Sequence, residues 1–90
     1  MRQLTVRMLL NSCVRAQIDI NDMTIIYRTY DPDGNDVFAG MCKYRDGELV
    51  PCDHDTYSLD DKIIDYQMYH NESENKWELA VWYESDLIEG

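Results

Sequence analysis

Apolar residues recur along the first part of the chain with the period of a helix. Val6, Leu9, Leu10, Cys13 and Val14 fall at i, i+3, i+4, i+7 and i+8, which draws one apolar stripe. Thr5 stands just before the stripe, where its hydroxyl can accept an orphan backbone N–H. Arg7, Asn11 and Arg15, four apart, occupy the other side. The pattern fails over residues 17–22, which read as a polar connector. From Thr24 the period changes to two. Residues 24–30 (TIIYRTY) are β-branched and aromatic, as strands require. Asp31-Pro32-Asp33-Gly34-Asn35 supplies turn chemistry, and residues 36–44 return as the second strand of a hairpin. Gly40 within that strand signals a bulge or a close backbone approach. A second turn at Arg45-Asp46-Gly47-Glu48 leads into a short segment over 49–52, which Pro51 demotes to an edge strand or a loop.

Residues 53–61 are polar and irregular, with one helical turn expected after Ser58. The alternation then resumes. Over 62–70 it sets Ile64, Tyr66 and Met68 against Ile63, Asp65, Gln67 and Tyr69. After the loop at 71–75 (NESEN), residues 76–84 set Trp77, Leu79, Val81 and Tyr83 against Glu78, Ala80, Trp82 and Glu84. The expected fold is α+β: one N-terminal helix packed on a four- to five-stranded antiparallel sheet made of two hairpins. At 90 residues the chain is a single domain, and it would bury only ~60–65% of its unfolded surface.

Charge narrows the partners. There are 18 Asp plus Glu and 8 Lys plus Arg, a formal net charge of −10. Phosphates of free nucleic acid and anionic lipid headgroups would be repelled. The excess is uneven: residues 1–30 carry a net +2 and residues 31–90 a net −12. This predicts an acidic surface suited to a basic protein. No apolar run approaches the ~20 residues that span a bilayer, and no signal-peptide pattern is present. Cys13, Cys42 and Cys52 are an odd number at unrelated spacings, which fits reduced thiols and predicts a cytoplasmic protein.

Candidate chemistry is sparse. Asp31, Asp33 and Asn35 match the first, third and fifth positions of a calcium loop, but Asp36 and Cys42 stand where it needs Gly and a bidentate Glu. A hairpin turn explains them better. Cys52 and His54, with Asp53 and Asp55 beside them, have no second ligand pair in sequence; Cys42 and His70 would join them only through the tertiary fold. No nucleotide-binding or nucleophile motif occurs. The expectation is therefore no enzyme, no cofactor and no metal. What remains is the outer face of the second hairpin. With Ile64, Tyr66, Met68, Trp77, Leu79 and Val81 inward, Ile63, Tyr69 and Trp82 point out among Asp65, Glu78 and Glu84. Trp and Tyr would anchor a partner while charge steers it. Acids at i and i+2 of a strand lie ~7 Å apart. With Asp53, Asp55, Asp60 and Asp61 they would imitate a run of phosphates.

The runs Leu4–Leu10 (LTVRMLL), Ile25-Ile26-Tyr27, Tyr30-Asp31-Pro32-Asp33-Gly34, Phe38-Ala39-Gly40, residues 62–66 (KIIDY) and residues 77–81 (WELAV) together resemble a loose group. These are the small acidic uncharacterised proteins of phages and integrative elements of Gram-positive gut bacteria. The resemblance implies a mobile-element protein acting in the host bacterial cytoplasm. It further implies an anti-CRISPR or DNA-mimic inhibitor that covers the nucleic-acid site of a Cas effector or another basic host protein. The alternatives are an assembly module that dimerises through Trp82 and Tyr69, and a metal-dependent or thiol enzyme using Cys52 and His54.

Overall fold

The computed structural model describes residues 4–53 and 56–83. In chain order the elements are β1 (Leu4–Thr5), α1 (Val6–Arg15), β2 (Met23–Tyr30), β3 (Asp36–Arg45), β4 (Glu48–Pro51), β5 (Lys62–Asn71) and β6 (Lys76–Tyr83). The six strands form one sheet in the order β1-β5-β6-β2-β3-β4. The expected sheet of four or five antiparallel strands is thus corrected on two counts. There are six strands, and β2 and β6 pair in parallel, from Thr24 beside Glu78 to Arg28 beside Trp82. The two expected hairpins exist, β2 with β3 and β5 with β6, and this parallel seam joins them. Its cause lies in composition. Leu79, Ala80, Val81 and Trp82 are all buried, and a strand apolar on both parities stabilises a sheet best at its centre.

The helix forms where the apolar stripe begins. Thr5 is extended and its Oγ1 accepts the Met8 N–H at 3.3 Å. Val6, Leu9, Leu10 and Cys13 are buried against the sheet, whereas Val14, expected in the stripe, is 55% exposed. At 100° per residue Val14 lies roughly 80° around the helix from Val6, on the flank rather than beneath. The core between helix and sheet holds Met23, Ile25, Tyr27, Cys42, Leu49, Ile63, Leu79 and Val81.

Two bulges set which residues meet that core. Between Tyr27 and Arg28 the register of β3 skips Ala39. Between Ile63 and Asp65 the register of β5 skips Ile64. The second bulge reverses one expectation: Ile63 is buried and Ile64 is 52% exposed. The segment before β5 packs on the helix side. The Tyr57 ring lies 4.6 Å from that of Tyr27, and Tyr57 and Leu59 both flank the core. The Leu59 carbonyl accepts the Arg7 N–H at 2.8 Å, so this segment also caps the first turn of the helix. Among the described residues no helix is long and apolar enough to cross a membrane.

Candidate functional site

The helix and the segment before β5 cover one face of the sheet. The opposite face carries the alternate residues, and the strand registers fix their rows. Phe38, Arg28, Trp82 and Asp65 form one row across β3, β2, β6 and β5. Met41, Ile26, Ala80 and Gln67 form the next. Lys43, Thr24, Glu78 and Tyr69 form a third, which Val50 extends onto β4. Asp22 and Glu74, both outside the strands, reach the third row at one end. Phe38 is 59% exposed beside half-buried Met41 and Ile26. This is an apolar centre bordered by both signs of charge.

Four of the expected site residues meet here. Asp65 sits opposite Trp82, and Tyr69 sits opposite Glu78. Asp65 Oδ1 accepts the Tyr66 N–H at 2.8 Å, the Tyr69 hydroxyl donates to Gln67 Oε1 at 3.1 Å, and Glu78 Oε2 accepts from Asn71 Nδ2 at 3.1 Å. Trp82, expected as an exposed anchor, is only 8% exposed. Its Nε1–H donates to Asp36 Oδ1 at 3.1 Å, and the Arg28 guanidinium carbon lies 5.8 Å from its ring centre. Trp82 therefore forms the floor of the face, and Phe38 projects from it. Phe38, Met41, Ile26 and Arg28 were missed as site residues. The parity of Ile26 and Arg28 was visible in TIIYRTY, but nothing local showed that this hairpin lies beside β6.

The described loop acids, Asp53, Asp60 and Asp61, do not join this face. Asp53 accepts the Tyr57 hydroxyl at 2.8 Å and the Met41 N–H at 3.2 Å. Asp60 pairs with Arg7 at 3.1 Å. Asp61 Oδ2 accepts the Tyr27 hydroxyl at 2.8 Å and the Ser58 N–H at 2.9 Å. Burial, then the Asp61 carboxylate, holds the Tyr27 phenol far above its ordinary range, so it stays a donor. These three acids tie the segment before β5 to the fold. Asp55, Glu84 and His54 lie outside the described residues.

Cations gather at the end of the open face. Asp22, with φ of 61°, receives the Arg45 Nε–H, Lys76 Nζ at 3.3 Å and Lys43 Nζ at 3.9 Å. Hydrogen bonds from Arg45 and then Lys76 hold its carboxyl below the usual carboxylate range. A polar cleft of about 50 Å³ opens there between Asp22, Lys43, Glu74 and Glu78. Elsewhere the Asp31 Oδ1 accepts the N–H of Asp33 at 3.0 Å and of Asn35 at 2.8 Å, which makes that stretch the expected hairpin turn. Cys13 and Cys42 are buried and Cys52 is exposed, all as free thiols. Among the described residues no three His, Cys, Asp or Glu side chains stand close enough to hold a metal ion.

No protein family, curated protein or solved structure matches this chain. The resemblance to mobile-element proteins thus stands on the sequence pattern alone.

Proposed function

We propose that this chain is a non-enzymatic, cytoplasmic protein-binding module, and that it meets a basic protein partner through the open face of its sheet. One observation carries the reading: Phe38 projects from a floor of buried Trp82 and half-buried Ile26 and Met41, with nothing described above it. An exposed aromatic group in a desolvated surround is the arrangement that concentrates binding energy. The net charge of −10 steers encounter toward a basic partner, and Asp65 and Glu78 border the apolar centre. Inhibition of a host defence protein, the role implied by the resemblance, is one setting for such binding. Imitation of a run of phosphates has less support. Asp53, Asp60 and Asp61 are engaged within the fold, and Arg28 and Lys43 stand on the open face itself.

Affinity capture from host lysate with the native chain and with Phe38→Asp tests the reading. Phe38 is exposed, so the variant keeps its circular dichroism, and a captured partner should be retained at least about tenfold less. Asp65→Lys with Glu78→Lys should weaken capture at low salt and change it little at high salt. A partner held equally by all three proteins would show that this face is not the contact.

A further inference from the structure

The two edges of the sheet are built differently. At one edge, β4 is four residues long and ends in Pro51, and beyond it the Met41 N–H of β3 is taken by the Asp53 carboxylate. Both devices discourage a further strand. At the other edge β1 covers only Lys62 and Ile63 of the ten-residue β5. Among the described residues, Asp65 to Asn71 pair with β6 alone. This stretch, Asp-Tyr-Gln-Met-Tyr-His-Asn, holds no Lys, Arg or Pro and one carboxylate. Tyr66 is 48% exposed on its helix side and Tyr69 is 41% exposed on the other. One N–H along it is engaged, that of Tyr66 by its neighbour Asp65 at 2.8 Å, and this local bond must open for pairing. Among the described residues the rest of the edge is free, which makes it a template for another strand.

We infer that the occupant is β5 of a second copy, paired antiparallel about a twofold axis at Met68. The side chains of the strand complement themselves in that register. Asp65 faces Asn71, Tyr66 faces His70, Gln67 faces Tyr69 and Met68 faces itself, so no like charges stand directly opposite. On the helix side two Tyr66–His70 pairs flank the methionines. On the open side the amides of Gln67 and Asn71 meet a hydroxyl and a carboxylate. The pairing stops short of Ile63, where β1 already sits. A parallel pairing in register would instead place Asp65 against Asp65. Each copy carries a net −10, so the two repel at long range, and salt relieves that repulsion. The dimer therefore tightens as salt rises, opposite to the binding of a basic partner. It uses only the β5 margin of the open face and leaves Phe38, Ile26 and Met41 out of the pairing.

Sedimentation velocity of the full chain over rising concentration, at low and high salt, tests this. The expected result is a concentration-dependent dimer favoured by salt. Tyr66→Glu with His70→Glu sets carboxylates opposite each other twice, and should weaken the dimer at least about tenfold with the far-ultraviolet dichroism unchanged. Tyr66→Lys with His70→Glu sets opposite charges there and should restore it. A chain that stays monomeric throughout overturns the inference, as does a dimer indifferent to the double glutamate variant. A dimer lost in Phe38→Asp but kept in the Tyr66 and His70 variants would place the contact on the open face instead.

Discussion

Gln17 occupies a position that helices usually give to glycine. The Gln17 N–H donates to the Val14 carbonyl and the Ile18 N–H to the Cys13 carbonyl, a pair of bonds that closes the helix through a left-handed residue. Gln17 is that residue, with φ of 63°. A side chain there is strained, so Gln17→Gly should raise stability by about 0.5–1 kcal/mol after the extra entropy of glycine in the unfolded chain is offset. Thermal unfolding of the two proteins would check it; no gain in Tm would show that the strain is already relieved. Gly40 illustrates the opposite case. Its sequence position suggested a bulge or a close approach, and both are present: Ala39 is skipped by the ladder, and a Cβ on Gly40 would overlap the Tyr57 hydroxyl. The glycine was legible, but its partner was not, because Tyr57 comes from an irregular segment with no periodicity to place it.

At the scale of elements, the ion cluster at Asp22 joins three of them: the entry to β2, and Arg45 with Lys43 on β3 and Lys76 on β6. The carboxyl is held below its ordinary range in the folded chain. Its contribution is therefore complete above the unfolded value of about 3.9 and is lost as pH falls through the lower folded value. Asp22→Asn keeps a residue that tolerates positive φ and removes the charge. Denaturant titrations from pH 7 to 2.5 should show the variant slightly less stable at neutrality and less sensitive to acid below pH 4; parallel curves would mean that the cluster is too solvated to matter. The helix and the four long strands were legible because their periods are clean. The strand β1 was not, since two residues carry no period. The parallel seam left a trace in the unbroken apolar run at Leu79–Trp82, which fits a central strand better than one of an isolated hairpin. Ile63 and Ile64 exchanged faces because a bulge adds one residue, and adjacent isoleucines give no parity signal to reveal it.

Across the whole molecule, the division of charge along the chain does not become a division in space. The slightly basic N-terminal third includes β2, which lies between β6 and β3, so Arg28 stands among the acids of the second half. The acidic surplus, a net −10, repels itself. Raising sodium chloride from about 10 to 200 mM, where the screening length falls from ~30 Å to under 10 Å, should therefore raise Tm. A fall would show that the attractive contacts at Asp22 and Asp60 outweigh the general repulsion.

The place of β6 has a temporal consequence. It is the last of the described strands and one of the two at the heart of the sheet, hydrogen-bonded to β5 on one side and β2 on the other. During synthesis the first hairpin emerges with the inner edge of β2 unpaired, and it waits for a strand some fifty positions later in the chain. Distant pairing of this kind is slow, because the intervening chain must be closed into a loop before any bond rewards it. A nascent chain ending before Lys76 should show no cooperative melting. The protein on the ribosome is then a sheet missing its middle, and folding is a single late event rather than a gradual one.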